Sequence, residues 1–231
     1  MRIIPIGIYG PYMAAGHATS CYLIEEGDTK VALDFGSGSL SLIQKHIDPR
    51  KLDAIILTHL HFDHFCDILP FAYMAGDGFK VYCPASPTDN FSIIKNRKNY
   101  DIGVIDRAGR ITIGDIMFEF EEMTHPVESY AVKATGKCGS FVYTGDTSDY
   151  SRLIEFSKGC RFIICDCMSA PGTPHLTLEQ GTALQKATGI QVIGTHINPG
   201  YDGAAEAKKL GLRVVNANEI LDADFGNIDN K

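Results

Sequence analysis

Short apolar, β-branched runs set between polar turns dominate the chain, and their length and spacing predict strands. Twelve runs fit: Arg2–Ile8, Cys21–Glu25, Lys30–Asp34, Ala54–Thr58, Lys80–Cys83, Arg110–Ile113, Ile116–Glu121, Tyr130–Ala134, Ser140–Thr144, Phe162–Asp166, Gln191–Gly194 and Arg213–Val215. Helical patterns fall at Ser39–Ile47, Cys66–Ala75, Leu178–Ala187 and Ala204–Leu210. Thr177, with Gln180 three residues on, offers a capping box for the third helix. Gly211 suits the end of the fourth. Gly36-Ser37-Gly38 reads as a turn before the first helix, and only faintly as a phosphate-cradling loop. Early strands run on to one another through turns such as EEGDTK, while later ones alternate with helices. Such sheets need both faces covered, so the expected class is α+β: two packed sheets with helices outside.

Composition sets outer limits on this picture. The 231 residues are 45% hydrophobic and 21% charged, enough for a large core without disulfide staples. They show no linker, repeat or low-complexity run, so one domain over 1–231 is expected. The N-terminal apolar run is broken by Pro5, Gly7 and Gly10, which suits a first strand better than a secretory leader. No window reaches the roughly 18 apolar residues of a membrane span. Seven scattered Cys suit a reducing compartment, and a cytoplasmic protein is expected. Cys165 and Cys167 share a strand face and read as buried small hydrophobes. A formal net charge of −7 excludes a broad basic surface for a nucleic-acid backbone. The one tight basic cluster, Lys95, Arg97 and Lys98, reads as a solvated helix end or loop. Segment Ala85–Asp101 reads as an active-site lid or a plain surface connection.

Candidate chemistry lies where strands end. Thr58-His59-Leu60-His61-Phe62-Asp63-His64 follows the apolar run AIIL directly. His59 and His61, two apart on extended backbone, point the same way, and a tight turn brings Asp63 and His64 around from the other side. Three imidazoles and a carboxylate this close are costly to bury without a compensating cation, and they suit a borderline ion such as Zn²⁺. Mn²⁺ and Fe²⁺ also fit mixed nitrogen and oxygen ligands. The spacing offers two ligand subsets that one ion could not easily use together. His125 after FEFEEMT, Asp146 in VYTGDTSD and His196 after QVIGT occupy similar strand ends. Taken singly, Asp146 also suits the cap of a helix starting at Thr147, and either His also suits an ordinary loop. His17 and His46 read as loop and helix surface.

HLHFDH followed in order by His125, Asp146 and His196 resembles the metallo-β-lactamase superfamily over nearly the whole chain. That resemblance implies a four-layer αβ/βα sandwich, two mixed sheets face to face with helices on the outer faces. It assigns His59, His61 and His125 to a first metal, Asp63, His64 and His196 to a second, and Asp146 to a bridge between them. THPVESYA, YTGDT and PHLTLEQG are similar to the ribonuclease Z branch and its small phosphodiesterase relatives. By that likeness His175, in HLT, acts in catalysis beside Asp166, where the family more often has Glu. Asp34 is the expected orienter of a ligand His. The long tRNA-holding arm of ribonuclease Z has no counterpart here.

The expected function is therefore a phosphodiesterase using two-metal-activated hydroxide, oriented by Asp63, on a small phosphodiester, cyclic phosphate or short nucleotide. Expected partners are a small-molecule substrate, including a nucleotide or short RNA, and, by the family's habit, a second copy in a homodimer. Hydrolysis of a lactone, thioester or other carbonyl substrate is the alternative, since a tetrahedral oxyanion needs the same cationic support. A non-hydrolytic metal-binding accessory protein is the third reading.

Overall fold

A computed structural model describes residues 1–223, so the last eight positions of the expected 1–231 domain lie outside the described residues. The first sheet contains β1 (Arg2–Gly7), β2 (Cys21–Glu26), β3 (Thr29–Leu33), β4 (Ala54–Ile56), β5 (Phe79–Cys83), β6 (Tyr100–Val104) and β14 (Leu221–Asp222), in the order β14-β1-β2-β3-β4-β5-β6. The second contains β7 (Arg110–Ile113), β8 (Ile116–Met123), β9 (Ser129–Thr135), β10 (Ser140–Tyr143), β11 (Phe162–Asp166), β12 (Gln191–Thr195) and β13 (Arg213–Val214), in the order β13-β12-β11-β10-β9-β8-β7. Each is mixed in the same manner. β14-β1-β2-β3 and β7-β8-β9-β10 pair antiparallel. β3-β4-β5-β6 and β10-β11-β12-β13 pair parallel.

Burial follows pairing. β8 alternates, turning Ile116, Phe118 and Phe120 inward, while β4 is buried throughout, as a parallel strand covered on both faces must be. The inner faces meet in one core that joins Tyr22, Ile24, Leu33 and Ile56 of the first sheet to Phe118, Val132, Phe141 and Ile164 of the second. On the first sheet's outer face, Leu23, Ile55 and Val81 pack against residues of α1 (Ser39–Ile43), α2 (Phe62–Phe65), α3 (Ile68–Phe71) and α4 (Thr88–Lys95). Val142, Ile163 and Val192 do so on the second, beneath α5 (Ser151–Phe156), α6 (Leu178–Thr188) and α7 (Ala204–Lys209). The result is the expected four-layer sandwich. Cys165 and Cys167 are both fully buried in this last cluster. No helix among the described residues is long and apolar enough to cross a membrane.

Several elements depart from the sequence expectation. Within the helix expected over Cys66–Ala75 only Ile68–Phe71 is helical, as α3, and the separate α2 before it contains Asp63 and His64, so a helical turn reverses the chain after His61. Ala85–Asp101 contains the crossover helix α4 and the first residues of β6. Asn90 of that helix donates its side-chain N–H to the Leu60 carbonyl at 2.8 Å, tying the segment to the metal motif. β6 escapes sequence detection because Asp101 and Gly103 interrupt an edge strand, where one side needs no apolar partner. β14 has only two residues, too few to carry a period. α5 begins at Ser151 with Tyr150 at its N-cap, so Asp146 caps no helix.

Candidate metal centre

β3, β4, β8, β10, β11 and β12 all deliver polar residues just past or at their carboxyl ends. Asp34 follows β3, His59 follows β4, His125 follows β8, Asp146 follows β10, Asp166 closes β11 and His196 follows β12. The N–H of Tyr130 donates to the Thr58 carbonyl at 3.0 Å and joins the two sheets at this rim. The chain turns sharply there. Asp34, Gly145 and His196 have φ of 56°, 55° and 60°, left-handed conformations that side chains other than Gly adopt at a cost. Gly10 matters for another reason: a Cβ on it would lie 2.0 Å from His196 Nε2, so only a bare backbone lets that ring sit where it does.

All seven residues assigned to metals by resemblance converge. The ligand-type atoms of His59, His61, His125 and Asp146 lie within 4.8 Å of one another, as do those of Asp63, His64, Asp146 and His196. Asp146, Asp166, His175 and His196 make a third such group. Asp146 is common to all three. His17 and His46 lie outside: the first sits 4.9 Å from the Tyr9 ring, and the second bonds Asn218 at 2.8 Å.

Hydrogen bonds fix which nitrogens face inward. Buried Asp34 accepts from the Thr58 N–H at 2.8 Å, from His64 Nδ1 at 2.7 Å and from the Tyr143 hydroxyl at 2.9 Å. It also takes the one hydroxyl proton of Thr58, at 3.0 Å. That hydroxyl must then accept from His59 Nδ1, 3.1 Å away, which leaves a lone pair on His59 Nε2. His125 Nδ1 donates to the Pro174 carbonyl at 3.2 Å, with the same consequence for its Nε2. The expected role of Asp34 as an orienter is thus visible as a bond to His64. Thr58, Tyr143 and the Pro174 carbonyl were not singled out by sequence. Thr58 alone carried a signal, as the residue before His59.

Do these groups fit a metal? His59 Nε2 and His125 Nε2 each stand 3.1 Å from His61 Nδ1, and Asp146 is 3.6 Å from His59 Nε2. A proton on His61 Nδ1 could serve only one of the lone pairs on His59 Nε2 and His125 Nε2, whereas a cation among the three nitrogens would satisfy all of them. Tetrahedral zinc with bonds of about 2.0–2.1 Å sets its ligand atoms roughly 3.3 Å apart, close to these separations. In the other group His64 Nε2 is 3.2 Å from Asp146 and 3.6 Å from Asp63, and His196 Nε2 is 3.2 Å from Asp63 and 3.4 Å from Asp146. Among the described residues Asp146 Oδ1 is buried with no hydrogen-bond partner, as a metal-ligating oxygen would be. The donor set fits divalent ions.

Electrostatics divides the two groups. Burial, with neighbouring imidazoles adding to it, holds the pKa of His59 well below the usual value and that of His125 at about 4. Burial also disfavours charge on His64 and His196, but Asp146 and the neighbouring carboxylates outweigh it, lifting His64 well up and His196 to about 9. His175 donates from Nδ1 to Asp166 Oδ2 at 2.7 Å. Burial lowers the pKa of His175, yet Asp166 and then Asp146 reverse that and hold it above the usual value. The capping box is present: Thr177 accepts from the Gln180 N–H at 3.3 Å, and Gln180 accepts from the Thr177 N–H at 2.9 Å. It fixes the start of α6 and with it the exit of His175.

A model of the beta-lactamase superfamily domain matches residues 34–197, from the orienting Asp34 to just beyond His196. The chain belongs to the beta-lactamase superfamily. Within that superfamily it is 30% identical over 213 residues to the probable metallo-hydrolase YhfI of Bacillus subtilis, covering 85% of this chain and 87% of that one. The crystal structure of the metallo-beta-lactamase fold protein YhfI superposes with a TM-score of 0.88 at 24% identity, over 96% of this chain and 99% of that one. A diphosphatase of the PhnP family gives 0.81 at 15% identity over 96% and 98%. The short form of human tRNase Z gives 0.77 at 12% over 97% and 100%. These last three likenesses establish the superfamily's fold for this chain.

Proposed function

We propose that this superfamily member is a metal-dependent hydrolase that cleaves a small phosphodiester, a cyclic phosphate or a short nucleotide. The observation that carries the reading is the sharing of Asp146 among two ligand groups and the group of Asp166 and His175. His59, His61 and His125 would hold one divalent ion, Asp63, His64 and His196 a second, and Asp146 would serve both. Zinc suits this donor set, and manganese or iron(II) also fits it. When bound, such ions lower the pKa of water from about 15.7 toward neutrality and offset charge building on phosphoryl oxygens.

The chain's own groups supply the remainder. Asp63 Oδ2 stands 3.2 Å from His196 Nε2 within the same ligand group, and the carboxylate would orient the attacking water through its free oxygen. His175 is partly exposed, with its Nδ1 committed to Asp166, so its other nitrogen is left to donate a proton to the leaving oxygen. Asp166 favours the imidazolium of His175, the form that can donate. A donor so placed contributes about 10²–10⁴-fold. Similarity to a PhnP-family diphosphatase and to a tRNase Z supports a phosphorus substrate over a carbonyl one.

Turnover by zinc-loaded and manganese-loaded protein should be compared on bis-p-nitrophenyl phosphate, cyclic nucleotides, nitrocefin and simple lactones. Phosphodiester cleavage that falls about 10²–10⁴-fold in His175→Ala is expected. Turnover of lactones with none of the phosphodiesters would contradict the proposal.

A further inference from the structure

Two buried polar atoms beside the metal groups face one another without a bond. Asp166 Oδ1 and His196 Nδ1 both lack a hydrogen-bond partner among the described residues, and they stand 3.6 Å apart. The other oxygen of that carboxylate is occupied, by His175 Nδ1 at 2.7 Å and the Thr147 N–H at 3.2 Å. The other nitrogen of that imidazole is turned away, toward Asp63 and Asp146.

We infer that Asp166 is a shared positioning residue, its Oδ2 orienting His175 while its Oδ1 accepts the Nδ1–H of His196. The inference rests on the metal-dependent reading above. A histidine that offers Nε2 to a metal carries its proton on Nδ1, and a buried N–H of that kind is ordinarily met by a carboxylate or carbonyl. Hydrogen-bond length is about 2.7–3.2 Å, so the gap closes with a shift of under about 1 Å. Both residues are anchored well enough for that shift to be specific. Asp166 is registered beside Thr195 in neighbouring parallel strands, and its N–H donates to the Thr144 hydroxyl at 3.0 Å. The His196 ring is backed by Gly10. One carboxylate therefore aligns the proton donor and a metal-holding ring together, which ties the position of the leaving-group acid to that of the ion.

The test is zinc affinity, measured by competition with a chromophoric chelator on the full chain, with thermal midpoints recorded as a check of folding. Asp166→Asn should weaken zinc binding roughly 10–100-fold, the usual cost of losing an outer partner of a metal ligand. Asp166→Glu, which keeps a carboxylate, should recover most of that loss. His175→Ala should stay within about threefold of wild type, because the effect runs through His196. An unchanged affinity in Asp166→Asn, or an equal loss in His175→Ala, overturns the shared role. Should Asp166→Asn not fold, the nitrogen-15 histidine spectrum of zinc-loaded wild type decides. A slowly exchanging, hydrogen-bonded His196 Nδ1 proton supports the inference and a freely exchanging one overturns it. Wild-type protein that takes up no zinc defeats the metal-dependent reading and this inference together, whereas normal uptake by both wild type and Asp166→Asn defeats the inference alone.

Discussion

The two ligand groups share Asp146 yet are built on opposite principles. His59, His61 and His125 face one another as neutral rings: burial and mutual repulsion keep protons off them, and the hydrogen bonds of Thr58 and Pro174 set which nitrogen points inward. Around His64 and His196, three carboxylates outweigh burial and draw protons in. The difference teaches that a proton and a metal compete for the second group far more than for the first. One half of the site is preset to receive a cation, whereas in the other a cation would have to displace protons.

The heaviest blow to both halves should come from Asp146→Ala. It removes the shared carboxylate, so zinc retention should fall at both positions by more than the roughly 10–100-fold that losing an outer partner costs. Metal analysis after zinc loading and desalting would show it, and full retention at either position would break the sharing.

Proton competition sharpens the contrast next, because the signs differ. His196 has its folded pKa raised to about 9, so its stabilisation of metal-free protein is complete below the unfolded value of about 6.5 and is lost as pH rises from there through 9. His125, lowered to about 4, works the other way: the unfolded chain binds its proton first, so stability falls as pH drops from about 6.5 toward 4. The thermal midpoint of metal-free protein should therefore decline on both sides of about pH 6.5, and His196→Asn should flatten the alkaline side. The gain in midpoint on adding zinc should grow from pH 6.5 to 9, since the metal needs the deprotonated ring.

A smaller effect separates the halves spatially. Gly10→Ala places a methyl against His196 and should destabilise by about 1–3 kcal/mol, with zinc lost from the carboxylate-rich group before the histidine-rich one. Smallest of all is Phe62→Ala. This ring lies between His61 and Asp63 in sequence but is 61% exposed, and its removal should change stability by less than about 0.5 kcal/mol in a denaturant titration.

The same contrast runs through what the sequence revealed. Residues that converge were visible because each sits within a few positions of an apolar strand end, where period and polarity are local signals. That is how His125, Asp146 and His196 could be picked out across long stretches of chain, whereas Asp166 and His175 stood out only by likeness to the ribonuclease Z branch. The Thr177 cap needed only four residues to be read. What could not be read depends on approach rather than pattern. Gly10 has meaning only once the His196 ring arrives beside it, and the Tyr143 hydroxyl only once Asp34 lies 2.9 Å away. The Pro174 carbonyl, a backbone group, has no sequence signature at all. Edge strand β6 and the two-residue β14 were lost for want of periodic length.

Zinc stoichiometry at neutral pH tests the central claim most directly. Protein stripped with a chelator, loaded with excess zinc and desalted should carry two ions per chain, with proton release as the carboxylate-rich group fills. A single ion retained by wild type and by His196→Asn alike, or none, would contradict a site in which Asp146 serves two metals.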